Sequence, residues 1–320
     1  MENKTKSLYR KHRPKKFTDV IGQEFVVKTL VNQIKNDAVA HAYLFCGTRG
    51  CGKTSVAKIF ARAVNDNKDN IELDVFELDA ASNNGVDDVR DLIEKVKYPP
   101  VNAKYKVYII DEVHMFSTSA FNALLKTLEE PPSYVIFILA TTEPHKLPPT
   151  ILSRCLRFDF RNASNRQIEE LLESVFKKEK IEADKQVIQM IAREGKGSFR
   201  DALSIAETIA SYGNKVITVE NVTQALGSVD NKTLQKLIDH IQNKNLQAIS
   251  DIVKEIFAVG RNINSVIKDC LEIIKQKYVE SKDAKLMQMY KNFAELEINI
   301  KTATDAKAMF EGTCLVCTIA

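Results

Sequence analysis

The chain has 320 residues, enough for two or three domains that each bury a core of their own. A hydrophobic fraction of 44% and a charged fraction of 28% are those of an ordinary globular protein, and no apolar run approaches the roughly 20 residues of a membrane span, so a cytoplasmic protein with no membrane partner is expected. Lysine and arginine number 46 against 42 acidic residues, and a net charge of +4 does not by itself indicate nucleic-acid binding, which would have to come from local patches.

Residues 1–24 are basic and then turn-like, from Tyr9-Arg10-Lys11-His12-Arg13-Pro14 to Val20-Ile21-Gly22-Gln23. They read as a solvated arm or as a segment laid over a nucleotide or along DNA. Val26, Val27, Leu30, Val31 and Ile34 predict an amphipathic helix over 25–35. Tyr43 to Cys46 predicts a short buried strand, and Ser55 to Val64 a helix with Val56, Ile59, Phe60 and Ala63 on one face. Between them stands Gly47-Thr48-Arg49-Gly50-Cys51-Gly52-Lys53-Thr54, which fits the pattern G-x-x-x-x-G-K-[ST]. Its glycines let the backbone wrap with N–H groups turned toward phosphate oxygens. Lys53 can reach the β- and γ-phosphates, and the Thr54 hydroxyl can ligate Mg²⁺. A strand, a loop and a helix in that order put a helix N-terminus under a triphosphate.

Val75 to Leu78 predicts a second strand, and Val86, Val89, Leu92, Ile93 and Val96 a helix that ends before Pro99-Pro100. Val107-Tyr108-Ile109-Ile110 is an apolar run that finishes in Asp111-Glu112. That is a buried parallel strand with carboxylates at its C-terminal tip, where ligands sit in open α/β sheets. Alternation along a strand sends the two acids in different directions. Asp111 is thereby the Mg²⁺-side residue and Glu112 the candidate base for an attacking water. Phe121, Leu124, Leu125 and Leu128 mark a helix stopped at Pro131-Pro132. Val135 to Ala140 is another buried strand, and the Thr142 hydroxyl just beyond it can meet the γ-phosphate or the attacking water. Leu156, Phe158 and Phe160 alternate like a further strand.

From about residue 161 everything reads helical. Apolar stripes run over Ile168 to Phe176, Val187 to Ala192, and Ala202 to Ile209, the last helix capped by Ser198 and carrying Arg200 in its first turn. A cation there opposes the helix macrodipole, which suggests a partner outside the helix. A short helix over 218–226 and several longer amphipathic helices from about 229 follow. The six cysteines are scattered. Cys314-x-x-Cys317, the one metal-like pair, supplies two ligands where structural zinc takes four, and reads as core packing.

These residues describe an α/β P-loop ATPase domain over 1–162, a small helical lid domain over 163–228, and an all-α domain over 229–320. The chemistry is hydrolysis of ATP with Mg²⁺. Arg154 and Arg200 are available beyond Lys53 to stabilise charge on the transferring phosphoryl group.

GTRGCGKT, YIIDEVHMFS, FNALLKTLEEPP, ILATTEPHKLPPTILSRC and GSFRDAL together resemble the gamma/tau subunits of bacterial DNA polymerase III. That family supplies the ATPase of the sliding-clamp loader, within the AAA+ class. The resemblance runs from about Tyr9 to Gly227 and continues more loosely to the end. It implies that Ser153-Arg154-Cys155 carries an arginine finger acting in trans on the neighbouring subunit's ATP. It implies also that Arg200 acts in cis as second sensor, that Thr142 is the first sensor, and that Asp111-Glu112 is the DExx pair. Arg13, Val20 and Ile21 match the adenine-enclosing segment, while residues 47–54 and Ser55 hold the phosphates. The implied partners are sister subunits in a pentameric ring joined through the C-terminal collar, the sliding clamp, and primer–template DNA held by its backbone.

Two departures stand out. The family's four-cysteine zinc module is replaced by Asn65-Asp66-Asn67-Lys68-Asp69-Asn70, so no zinc is expected. Tail contacts to helicase and polymerase are not evident in this chain. The alternatives are another AAA+ DNA machine, such as a branch-migration motor, and a nucleotide-binding scaffold without turnover.

Overall fold

The computed structural model describes residues 7–66, 71–213, 215–226, 231–258 and 263–319. They form two compact units, Met1–Ser211 and Tyr212–Ala320.

The first unit begins with a single turn of helix, α1 (Leu8–Lys11), and an amphipathic helix, α2 (Glu24–Lys35). Strands and helices then alternate: β1 (Ala42–Cys46), α3 (Lys53–Ala63), β2 (Val75–Asp79), α4 (Val86–Val96), β3 (Lys106–Asp111), α5 (Thr118–Glu129), β4 (Val135–Thr141), α6 (Pro149–Leu152) and β5 (Leu156–Asp159). All five strands are parallel, in the order β2-β3-β4-β1-β5. Parallel neighbours require crossover connections, which the intervening helices supply.

The three central strands are apolar on both faces because both are covered. Tyr43, Phe45, Val107, Ile109, Ile136 and Ile138 pack toward α2 and α3, where they meet Val56 and Phe60. Leu44, Tyr108, Ile110, Phe137 and Leu139 pack toward α4 and α5, where they meet Leu92, Phe121 and Leu124. The Tyr43 and Phe60 rings stand edge-on at 4.9 Å. Each such fully buried side chain contributes about 1.5–3 kcal/mol. The edge strands β2 and β5 are the less buried ones.

Register decides where the functional loops emerge. Cys46 lies beside Thr141, and Ile110 beside Leu139. The tips of β1, β3 and β4 therefore end almost level, and three loops leave the same edge of the sheet.

Local geometry departs from the sequence reading at two functional points. Helix α3 starts at Lys53 rather than Ser55, entered directly from Gly52 at φ 108°. Strand β3 stops at Asp111, and Glu112 takes a left-handed conformation, φ 48° and ψ 44°. Strand alternation therefore does not govern the direction of Glu112.

Three more helices complete this unit: α7 (Asn165–Glu179), α8 (Lys185–Glu194), which follows the two-residue strand β6 (Glu182–Ala183), and α9 (Phe199–Tyr212). The Ser164 hydroxyl accepts from Gln167 N while the Gln167 side chain accepts from Ser164 N, a reciprocal cap on α7. The Ser198 hydroxyl accepts from Asp201 N at 3.2 Å and caps α9. The short strand β6 is a small exception to the all-helical reading beyond residue 161.

The second unit contains the two-residue strand β7 (Val216–Ile217) and helices α10 (Val219–Leu226), α11 (Asn231–Gln242), α12 (Leu246–Ala258), α13 (Ile263–Ser281), α14 (Ala284–Asn299) and α15 (Ala306–Ile319). Helices α11 to α15 share one core that includes Leu237, Val253, Ile267, Phe293 and Phe310. Cys314 and Cys317 belong to it, and burial raises both thiols. Among the described residues no helix is long and apolar enough to cross a membrane. The cysteine-free stretch in place of a zinc module falls in part on residues 67–70, outside the described residues.

A buried carboxylate ties the turn after α4 to the start of β2. Asp74, fully buried, accepts from the backbone N–H groups of Val101 (2.7 Å), Asn102 (2.7 Å) and Ala103 (2.9 Å). Asp74→Ala leaves three donors without their acceptor and is expected to cost about 2–3 kcal/mol. The check is the urea midpoint of the first unit, with an unchanged midpoint counting against this anchor.

Candidate active site

The level strand tips of the first unit border a cleft of about 1140 Å³. Arg13, Val20, Ile21, Arg49 to Ser55, Asp111, Glu112 and Arg200 all line it.

The glycine-rich loop over residues 47–54 owes its shape to three glycines at positive φ: Gly47 at 155°, Gly50 at 77° and Gly52 at 108°. Gly50 is constrained twice. A Cβ there would lie 2.0 Å from the Ser198 hydroxyl, and Phe199 N donates to Gly50 O at 3.2 Å. The loop therefore packs directly on the start of α9. Gln23, nearly fully buried, supports it from behind by donating to Cys51 O (3.3 Å) and Arg161 O (2.8 Å). Thr48 is bonded through its hydroxyl to the Asn162 side chain.

Lys53 is only 5% exposed, and its ammonium donates to the carbonyls of Gly47 (2.8 Å) and Thr48 (3.0 Å). A buried cation held by neutral carbonyls suits anionic phosphate oxygens. Across the cleft floor the Thr54 hydroxyl donates to Asp111 Oδ2 at 2.6 Å. These two hard oxygens suit Mg²⁺, which takes few protein ligands and keeps substrate phosphates and water for the rest.

Glu112 behaves differently from Asp111. Its Oε2 accepts from Thr142 N (3.2 Å) and from the Thr142 hydroxyl (2.9 Å). Thr142 thus stands behind Glu112 and does not line the cleft itself. His114 also lies against this pair, 3.4 Å from Glu112 Oε2.

The basic N-terminal segment is anchored from residue 8 onward, although Arg10, Lys11, Lys15 and Lys16 stay exposed. Leu8 N donates to Glu207 (3.1 Å), while Lys11 (2.7 Å) and His12 (2.5 Å) both contact the Glu179 carboxylate. Arg13 Nε donates to the Ser55 hydroxyl at 2.9 Å, and burial lowers the pKa of its guanidinium. Residues 8–13 consequently connect α7 and α9 to the first turn of α3. The Arg200 guanidinium lies 4.8 Å over the Tyr9 ring. Hydrogen bonds from Ser7, Arg10 and Arg200 bring the Tyr9 phenol down to about 8.

Gly47 and Thr48 do not line the cleft either, and Arg154 faces away from it altogether. It follows α6, donates to Thr150 O at 2.8 Å, and is paired with Glu129 on the outer surface. Its side chain is 31% exposed and does not line the cleft.

Comparison with known proteins settles the family. Family models match consecutive stretches: "DNA polymerase III, delta subunit" over residues 22–164, "DNA polymerase III clamp loader subunit, ATPase lid domain" over 167–215, and "DNA polymerase III subunits gamma and tau domain III" over 217–306. The DNA polymerase III subunit gamma of Buchnera aphidicola subsp. Acyrthosiphon pisum (strain APS) is 36% identical over 284 residues, covering 83% of this chain and 79% of that protein. The chain belongs to the DNA polymerase III gamma/tau family. DNA polymerase III subunit tau of Bacillus subtilis (strain 168) is 43% identical over 282 residues, or 83% of this chain and 50% of that relative. This gamma/tau chain thus spans about half the length of such curated tau relatives. The solved structure of the Thermotoga maritima RuvB Holliday junction branch migration motor superposes with a TM-score of 0.56 at 19% identity, covering 79% of this chain and 87% of that one. It shares the AAA+ ATPase fold with this gamma/tau chain.

The Gly50 contact yields a direct check. Gly50→Ala would impose a left-handed alanine and a clash with Ser198, each disfavoured by about 1 kcal/mol or more. Binding of a fluorescent ATP analogue should weaken about tenfold or more. Unchanged affinity would contradict the close packing of this loop on α9.

Proposed function

We propose that this chain is the ATP-hydrolysing motor subunit of a replicative clamp loader, which uses ATP to open a sliding clamp and load it on primer–template DNA. The observation that carries the reading is the convergence of Lys53, Thr54, Asp111, Glu112 and Arg200 on one cleft, while Arg154 lies on another face of the same unit.

Each side chain then has a role that its position supports. The loop amides, Arg49 and Lys53 bind the phosphates of ATP, and Ser55 orients Arg13. Arg13, Val20 and Ile21 border the adenine end. Thr54 and Asp111 would hold Mg²⁺, which supplies charge neutralisation on the phosphate oxygens. Glu112 takes the proton of the attacking water as its oxygen bonds to the γ-phosphorus and the bond to the β-phosphate oxygen breaks. Thr142, which does not line the cleft, senses the γ-phosphate through the Glu112 carboxylate that it holds. Arg200 leaves the Tyr9 ring to neutralise phosphate charge in cis.

Arg154 serves the neighbouring subunit's site, so each working site needs two chains. Assembly with sister subunits in a pentameric ring runs through the 229–320 domain. There Val316 (56% exposed) and Ile319 (83% exposed) present an apolar face on α15. The three-part division at 162 and 228 belongs to the same reading. DNA is held through its phosphate backbone, so binding is insensitive to sequence and weakens with salt.

The test is steady-state ATP turnover by the chain assembled with its sister subunits, with and without clamp and primed DNA. Turnover is expected to rise with both. Arg154→Ala is expected to lose about 10³-fold in turnover while still binding ATP. Turnover indifferent to clamp, DNA and Arg154 would contradict the proposal, and ATP binding without any turnover would favour a scaffold.

A further inference from the structure

The carboxylate of Glu112 is not placed by the strand that leads to it. A non-glycine residue in the left-handed region is sterically disfavoured, so its surroundings must hold it there. Thr142 supplies two of the holding contacts, at 3.2 and 2.9 Å. The third neighbour is His114, in the tight turn Val113–Met115, with a side chain only 7% exposed.

Both ring nitrogens of His114 are engaged. Nδ1 is 3.0 Å from the Thr141 hydroxyl and 3.4 Å from Glu112 Oε2, and Nε2 is 3.1 Å from Glu143 Oε2. The inventory of donors assigns the tautomer. Glu143 bonds Lys146 at 2.9 Å, which keeps its carboxyl ionised and acceptor-only. His114 Nε2 therefore carries the proton and donates to Glu143. With the ring neutral, Nδ1 is then an acceptor, and the Thr141 hydroxyl, which also accepts from Glu143 N at 3.0 Å, gives its proton to it. The three bonds close a ring: Glu143 N–H to Thr141, Thr141 O–H to His114, His114 N–H to Glu143. In this state Nδ1 presents a lone pair 3.4 Å from Glu112 Oε2, the same oxygen that the Thr142 donors hold.

We propose that His114 is a positioning residue for Glu112. Clamped by Thr141 and Glu143, its imidazole confines the Glu112 carboxylate to the side of Thr142. The proposal rests on reading Glu112 as the base. It carries a second consequence, because Glu143 begins the segment that runs through α6 to Arg154. One ring of hydrogen bonds thus sets the base of the subunit's own site and anchors the segment carrying the arginine offered to a neighbour.

A histidine that merely fills space would affect stability and ATP affinity. A positioning residue affects the hydrolytic step, since a carboxylate displaced by about 1 Å costs on the order of 10²-fold. Single-turnover ATP hydrolysis, ATP-analogue affinity and thermal midpoint are measured on the assembled complex for wild type, His114→Ala, His114→Asn, His114→Gln and Glu112→Gln. His114→Ala should slow hydrolysis about 10–100-fold with affinity within about twofold. His114→Asn, which puts an acceptor where Nδ1 stands, should recover to within about fivefold, and His114→Gln should not. A wild-type rate in His114→Ala, a parallel loss of rate and affinity, or an Asn variant as slow as Ala would each overturn the proposal. An inactive Glu112→Gln beside a normal His114→Ala would remove this inference alone, whereas a fully active Glu112→Gln would remove the base assignment and this inference together.

Discussion

The constraint on which the first unit depends is the level ending of three adjacent parallel strands. Because Cys46 pairs beside Thr141 and Ile110 beside Leu139, the glycine-rich loop, the Asp111-Glu112 pair and Thr142 emerge side by side at one edge of the sheet. Register in a parallel sheet buried on both faces is held by the whole apolar pattern, since a one-residue slip would turn every side chain over. The precision of the cleft is therefore inherited from the packing of residues such as Tyr43, Ile109 and Phe137, which touch no nucleotide. Asp111 remains in the strand and meets Thr54, whereas Glu112 leaves the strand and is set by loops.

A second constraint joins that edge to the helices that follow. Gly50 lies so close to Ser198 that no side chain fits, and Phe199 N bonds Gly50 O. Residues 8–13 bridge from the other direction, through Glu207 and Glu179 to Ser55. Any movement of α7 or α9 is thereby felt at the phosphate loop and at Arg200. These contacts make residues 7–211 one compact body even though the sequence changes from alternating strands and helices to helices alone near 161.

Much of this is legible in the sequence alone. Central strands announced themselves as unbroken apolar runs, because covered faces leave no room for alternation. The tight glycine loop is legible because its glycine spacing answers a backbone requirement. What escaped was non-local. No spacing rule joins His114 to Thr141 and Glu143, Tyr9 to Arg200, or His12 to Glu179, and each pair is brought together by the sheet or by the N-terminal segment crossing the cleft. The physical basis of Glu112's direction is hidden from the sequence for a different reason. Strand alternation stops at Asp111, and at Glu112 the backbone turns left-handed. The departure of Arg154 from the cleft was expected from family resemblance, and its surface pairing with Glu129 is compatible with service to a neighbour.

The central claim is that each ATP site is completed by a second chain. Mixed assemblies test it most directly. Lys53→Ala chains retain Arg154 but lack a working phosphate site, and Arg154→Ala chains retain the site but offer no arginine. Each variant alone, assembled with the sister subunits, should be nearly inactive in ATP hydrolysis. Mixing the two before assembly should restore a clear fraction of the wild-type rate, because some Arg154→Ala sites then adjoin a Lys53→Ala neighbour with its arginine intact. Mixtures as inactive as their components, in assemblies of verified composition, would contradict the account.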